Sequence, residues 1–181
     1  MKTRNLIYQI SFIALLSALV YVATVFISIP YAGGAGYFNL SDAVILFASA
    51  YFGPVVGLLS GIIGCSLGDL TLGYASCIPF TILAKSLEAI AFIILFYFVK
   101  NRKFLKFFAF LIAPLFMVLG YIPYYLLFDD GAGIYALVAS LFDLVQALAG
   151  ASIGFILYLA FEKINLPYGY AKMIKIGKKG K

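Results

Sequence analysis

The sequence predicts an all-α membrane protein, a bundle of six transmembrane helices, and three observations carry that prediction. The 181 residues are 65% hydrophobic and 11% charged, with a mean hydropathy of +1.08. A water-soluble domain needs about a quarter of its residues charged, so this composition excludes one. The apolar residues come in runs of about twenty, the length a helix needs to cross a bilayer, not in the alternating ten-residue segments of an outer-membrane barrel. Of the 13 Lys and Arg, all but Lys85 lie outside those runs, in three clusters.

The clusters fix the expected topology. They are Lys2 and Arg4; Lys100, Arg102, Lys103 and Lys106; and Lys163, Lys172, Lys175, Lys178, Lys179 and Lys181. Basic residues flanking spans stay in the cytoplasm, so any two clusters are separated by an even number of crossings. Leu6 to Val99 holds four crossings and Phe107 to Phe161 holds two. The expected result is one membrane domain over 1–181 with N and C termini cytoplasmic. The acidic pair Asp129 and Asp130 sits in a loop without basic residues, as an outside loop does. The basic tail reads as a topology signal touching anionic lipid, not as a nucleic-acid arm.

The spacing predicts helices over about 6–29, 40–52, 55–73, 79–99, 107–128 and 134–161. The first apolar run, Leu6 to Ile29, is too long for a signal-peptide core and lacks a small-residue cleavage site, so it reads as a retained helix. Pro30 ends it, and the glycine-rich stretch Tyr31 to Phe38 reads as an outside loop, either a plain connector or a cover over a ligand. Asn39 to Asp42 resembles a helix N-terminus with capping side chains. Gly53-Pro54 breaks the next two helices, which are short for two crossings, so one is expected to be short or partly re-entrant. Gly57, Gly61, Gly64 and Gly68 give the third helix a small-residue stripe for close packing in lipid. Pro79 fits the first turn of the fourth helix, and Tyr121 to Tyr125 form an aromatic, proline-containing end to the fifth.

A charged side chain near the bilayer centre costs about 2.5–3.5 kcal/mol on insertion scales, so those that persist usually hold a ligand, ion or partner. Asp42 and Asp69 are expected near the outer surface, with Lys85 and Glu88 one to two turns inside the fourth helix. Asp143 and Gln146 repeat that three-residue spacing in the sixth. With Asn39, Tyr37 and Tyr124 they gather in the outer half, a cup open to the outside, while the inner half is expected to hold almost nothing polar. A proton or ion path needs polar groups across the full thickness, so one-sided polarity disfavours a stand-alone carrier. Lys85 reads either as a ligand contact or as an interhelical salt bridge to Glu88 or Asp143. Tyr and Phe faces with carboxylates suit a small, flat, polar ring, neutral or weakly basic. The chain has no His, and Cys65 and Cys77 form no C-x-x-C pair, so no metal or cofactor is expected. Clustered metal-binding Asp residues are also missing, which disfavours a small membrane enzyme. Ala14 and Ala18, with Ser11 nearby, make a small-residue face that packs inside the bundle or meets a second membrane protein.

These features resemble the substrate-binding S components of energy-coupling factor (ECF) importers. The resemblance covers nearly the whole chain and rests on the six short helices, the Ala14/Ala18 motif and the loop after the first helix. The stretch from Asn39 through Gly53-Pro54 to Asp69 is similar to the subgroup for hydroxymethylpyrimidine (a thiamine precursor) or pyridoxine. The resemblance implies a prokaryotic plasma-membrane location and two partners, a membrane coupling protein (T component) and a pair of cytoplasmic ATPases. It implies that Ala14 and Ala18 meet the coupling protein, and that Glu88, Tyr124, Asp143 and Gln146 contact the vitamin. The chain has no Walker-type phosphate loop, in keeping with ATP chemistry on other subunits.

Overall fold

A computed structural model of the chain describes residues 2–31, 36–99, 102–128 and 133–163. Six α-helices are present: α1 (Lys2–Val25), α2 (Ser41–Tyr51), α3 (Pro54–Leu72), α4 (Ile78–Val99), α5 (Lys103–Phe128) and α6 (Ile134–Glu162). Two short strands, β1 (Ile29–Tyr31) and β2 (Gly36–Phe38), pair antiparallel between α1 and α2. The loop tip at 32–35, the acidic pair at 129–130 and the basic tail beyond Lys163 lie outside the described residues.

Five of the helices, all but α2, are long and apolar enough to cross a membrane. The exception explains the tight spacing between residues 40 and 73. At 11 residues, α2 rises about 16 Å, half the hydrocarbon thickness, and every one of its residues is buried. It packs on α1, α3, α4 and α6 as the central rod of the bundle. A helix buried all round faces protein instead of lipid, so its length is not set by the bilayer. Gly53, at φ 115°, turns the chain sharply from α2 into α3, whose first residue is Pro54.

The glycine stripe does what its spacing predicts. A Cβ on Gly64 would stand 2.6 Å from the Ser17 carbonyl oxygen, so the backbones of α1 and α3 meet there without side chains between them. Gly150 serves α6 and α2 likewise, since a Cβ there would stand 2.6 Å from the Asp42 Cβ. That contact brings the first turn of α2 against the part of α6 that carries Gln146.

Three boundaries differ from expectation by four residues, the first being the start of the first helix at Lys2 instead of about 6. The first helix ends at Val25, not near Ile29. The residue before a proline is forced out of the helical region, so Ile29 is extended ahead of Pro30 and pairs with Phe38. The fifth helix starts at Lys103, four residues before the expected 107. Lys106 therefore lies in its first turn and points inward, 9% exposed, where it donates to Tyr158 Oη at 2.6 Å and Glu162 Oε1 at 3.0 Å. The expectation that the half of the bundle away from the cup is almost free of polar groups is corrected by this cluster. Between the two ends lies an aromatic layer of Phe92, Phe110, Phe47 and Tyr158.

Candidate functional site

The polar residues on the hairpin side form two layers. The upper one is a cavity under β1 and β2, walled by α3, the turn Ala75–Cys77, α5 and α6. Its wall includes Asp69 from the end of α3 and Asp143 from α6, with Tyr121, Tyr124 and Tyr125 from α5. Tyr31, Gly36 and Tyr37 of the hairpin, with Asn39, Tyr74, Cys77 and Gln146, complete it. The cavity measures about 30 Å³, room for a water or two.

Each carboxylate in this wall is satisfied by hydroxyl donors. Asp143 Oδ1 accepts from Tyr31 Oη at 2.7 Å and Oδ2 from Tyr125 Oη at 2.8 Å. Asp69 Oδ1 accepts from Tyr37 Oη at 2.5 Å and Oδ2 from Thr81 Oγ1 at 2.5 Å, while Tyr121 donates to Thr81 at 3.1 Å. An ionised carboxylate in an apolar bundle needs such donors on both oxygens. Burial, with the adjacent carboxylate second, pushes the Tyr31 and Tyr37 phenols upward, so both stay protonated and donate at neutral pH. The hairpin rings are also seated: Tyr31 stacks on Phe142 with centroids 4.6 Å apart, and Tyr37 lies 5.1 Å from Tyr74.

The second layer lies one hydrogen bond behind the wall. Gln146 Oε1 accepts from the Asn39 backbone N–H at 2.9 Å, and its Nε2 donates to Asp42 Oδ2 at 2.9 Å. Lys85 donates to Asp42 Oδ1 and reaches Met117 Sδ at 3.0 Å. Glu88 Oε2 is 3.6 Å from the Lys85 ammonium, and neither Glu88 oxygen has a hydrogen-bond partner among the described residues. Asp42, Lys85 and Glu88 are 0%, 1% and 0% exposed. This is a buried charge layer.

Of the expected ligand contacts, Asp143, Gln146, Tyr124, Asn39 and Tyr37 line the cavity. Asp42, Lys85 and Glu88 do not; they connect to it through Gln146. Lys85 resolves as a salt bridge, and its short contact is with Asp42. The expected position of Asp42 near the outer surface is corrected, because central α2 draws its first turn into the bundle. Asn39 lies one residue before the N-cap Leu40, and its Oδ1 accepts from the Ser41 N–H at 2.9 Å in a turn that leads into α2. Tyr31 and Thr81 were absent from the expected set. A tyrosine beside Pro30 in a glycine-rich loop was the available signal for Tyr31, whereas Thr81 carried none.

On the opposite flank, Ser11, Ala14 and Ala18 are exposed. Ala14 and Ala18 line an apolar groove between α1 and α3 together with Ile63 and Leu67.

An apolar bundle with five helices long enough to cross a bilayer and a tyrosine- and carboxylate-lined cavity at one end defines a multi-pass membrane protein. Residues 4–163 match the model of the family described as ECF-type riboflavin transporter, S component, and the chain belongs to that family. It is also similar, at 33% identity over 139 residues, to a Pyrococcus woesei protein described as an uncharacterized protein in the gap 3' region. That match covers 74% of this chain and 87% of the relative. The chain is accordingly a substrate-binding subunit of an ECF importer, not an enzyme. The family's description carries riboflavin, where the sequence reading expected the hydroxymethylpyrimidine or pyridoxine subgroup.

Proposed function

We propose that this chain captures riboflavin from outside a prokaryotic cell and delivers it to an ATP-driven import machine. The observation that carries the proposal is the meeting of two buried carboxylates and six tyrosines in one cavity at one end of the bundle. A flavin has a flat heteroaromatic face for tyrosine rings, and ring N–H and chain hydroxyls to donate to Asp69 and Asp143. The family's description favours riboflavin among flat heterocyclic vitamins. The second reading is hydroxymethylpyrimidine or pyridoxine, single rings that carry the same donors and would displace less of the wall of the small cavity.

In this reading the cavity end faces outward and all six helices cross or enter the membrane, with both termini inside. The exposed Ser11, Ala14 and Ala18 meet the T component, and two cytoplasmic ATPases supply the energy. The charge layer of Asp42, Lys85 and Glu88 fixes the cavity floor through Gln146.

The test is mass spectrometry of any small molecule carried through purification, followed by calorimetry with riboflavin, hydroxymethylpyrimidine and pyridoxine. Uptake that needs ATP and the coexpressed partners supports the reading; uptake driven by a pH gradient alone points to a stand-alone carrier. No heat with any of the three, together with no energising complex on pull-down, overturns it.

A further inference from the structure

The cavity of about 30 Å³ is too small for even one heteroaromatic ring, since ligand pockets run to roughly 300 Å³ and more. Some wall residues must therefore leave when a vitamin enters. Half of the wall residues, Asp69, Tyr121, Tyr124, Tyr125, Asp143 and Gln146, belong to helices of 19 residues or longer that are packed along the bundle. Tyr31 and Tyr37 instead sit on a two-stranded hairpin of three residue pairs. A lone two-stranded hairpin is marginal without tertiary support. Its support here includes the bonds and ring contacts these two tyrosines make.

The pattern of those bonds is the telling observation. Each wall carboxylate has one oxygen served by a helix residue and the other by the hairpin. Tyr125 and Thr81 supply the helix donors, on Asp143 Oδ2 and Asp69 Oδ2. Tyr31 and Tyr37 supply the hairpin donors, on Asp143 Oδ1 and Asp69 Oδ1. The absence of a side chain at Gly36 makes this arrangement fit, because a Cβ there would stand 2.8 Å from Tyr31 Oη. When the hairpin withdraws, one oxygen of each buried carboxylate is left bare unless another donor arrives.

We infer that the hydroxyls of Tyr31 and Tyr37 hold the places that two donor groups of the vitamin take, so that loading is an exchange of donors on Asp143 and Asp69. The inference rests on the proposed vitamin-binding function and adds a chemical requirement. The ligand is a flat heterocycle bearing O–H or N–H groups on two separate edges. A heterocycle with acceptors alone strands both carboxylates and is rejected. Specificity then comes from the unmet demand of the wall, and the empty protein is kept closed by its own surrogate donors.

The experiment uses the full-length protein in detergent with Tyr31→Phe, Tyr37→Phe and the double variant, which keep the rings and remove the donors. One readout needs no ligand: the alkylation rate of Cys77, a cavity-wall thiol only 9% exposed, in a Cys65→Ser background. The other is the Kd of riboflavin, with pyridoxine as second probe. Each lost surrogate bond is expected to speed alkylation and tighten binding about 3- to 10-fold. Gly36→Ala, which crowds the Tyr31 hydroxyl, is expected to act in the same direction as Tyr31→Phe. Unchanged or slower alkylation overturns the inference. So does weaker riboflavin or pyridoxine binding, which would make the hydroxyls ligand contacts. If neither vitamin binds the parent protein, the ligand assignment fails by itself and the alkylation rates still decide whether the hydroxyls hold the cavity shut.

Discussion

Replacing Lys85 with Met tests the charge layer most directly. The ammonium is 1% exposed and stands against Asp42 and Glu88, both fully buried. Methionine has nearly the same length and packs well beside Met117, so lost volume is a minor factor. What is lost is the ammonium that compensates the buried Asp42 carboxylate, which keeps only its bond from Gln146 Nε2. Breaking a buried ion pair by removing one partner costs about 3–5 kcal/mol, because the remaining charge cannot reach water. For a chain of this size that corresponds to a melting shift of about 6–20 °C. The chain has no Trp, but Cys65 and Cys77 are free and buried, so a thiol-reactive dye reports unfolding. The decisive comparison adds Asp42→Asn and then Glu88→Gln to Lys85→Met. Asp42→Asn removes the uncompensated charge, so stability should climb back at that step, and Glu88→Gln should change it little. If Lys85→Met melts within a degree or two of the parent, or the added substitutions lower stability further, the layer is not an electrostatic unit.

Other outcomes follow from the same geometry. Asp143→Asn replaces a carboxylate that accepts two tyrosine hydroxyls, and riboflavin affinity should fall about 10- to 100-fold in calorimetry while assembly is unaffected. Ala14→Leu or Ala18→Leu should give the opposite pair of results, normal affinity and a lost coupling complex on pull-down, because both side chains are exposed in the groove away from the cavity. Gly64→Ala places a Cβ against the Ser17 carbonyl and should cost about 1–3 kcal/mol in the dye-melting assay, by prising α1 from α3.

The legible parts of this protein were those where the physics is local or costly. Charged residues in an apolar chain are few, so Asp143, Gln146 and the tyrosines of α5 could be placed together from helix spacing alone. Gly53-Pro54 and the shortage of residues around it signalled a truncated helix, and α2 is that helix. The hairpin was not legible, because strands of three residues carry no periodicity and the surrounding glycines imitate a loop. The partner of Lys85 was also hidden. Spacing along one helix favours Glu88, yet Asp42 makes the short contact because α2 occupies the centre of the bundle. Lys106 misled for a related reason: its place in a basic cluster marks the membrane edge, whereas its orientation depends on where α5 begins, four residues earlier than the apolar run.

Why the bundle carries two acidic layers, and not one, follows from what each must tolerate. In the cavity, Asp69 and Asp143 are held by neutral hydroxyls, bonds that a ligand hydroxyl or ring N–H can replace at nearly equal free energy. Behind the wall, Asp42 is held by an ammonium, a partner that no neutral vitamin can replace. Had Lys85 reached Asp143, the strongest acceptor in the cavity would be permanently occupied and a neutral ligand could not compete for it. Gln146 keeps the layers apart, its Nε2 bound to Asp42 and its Oε1 bonded to the Asn39 N–H just after the hairpin. In the proposed exchange of donors, movement of the hairpin would free that oxygen for the ligand while the amide end stays anchored. The exchangeable chemistry is thereby confined to one layer, and the residue that must stay still is tied to the layer that does not exchange.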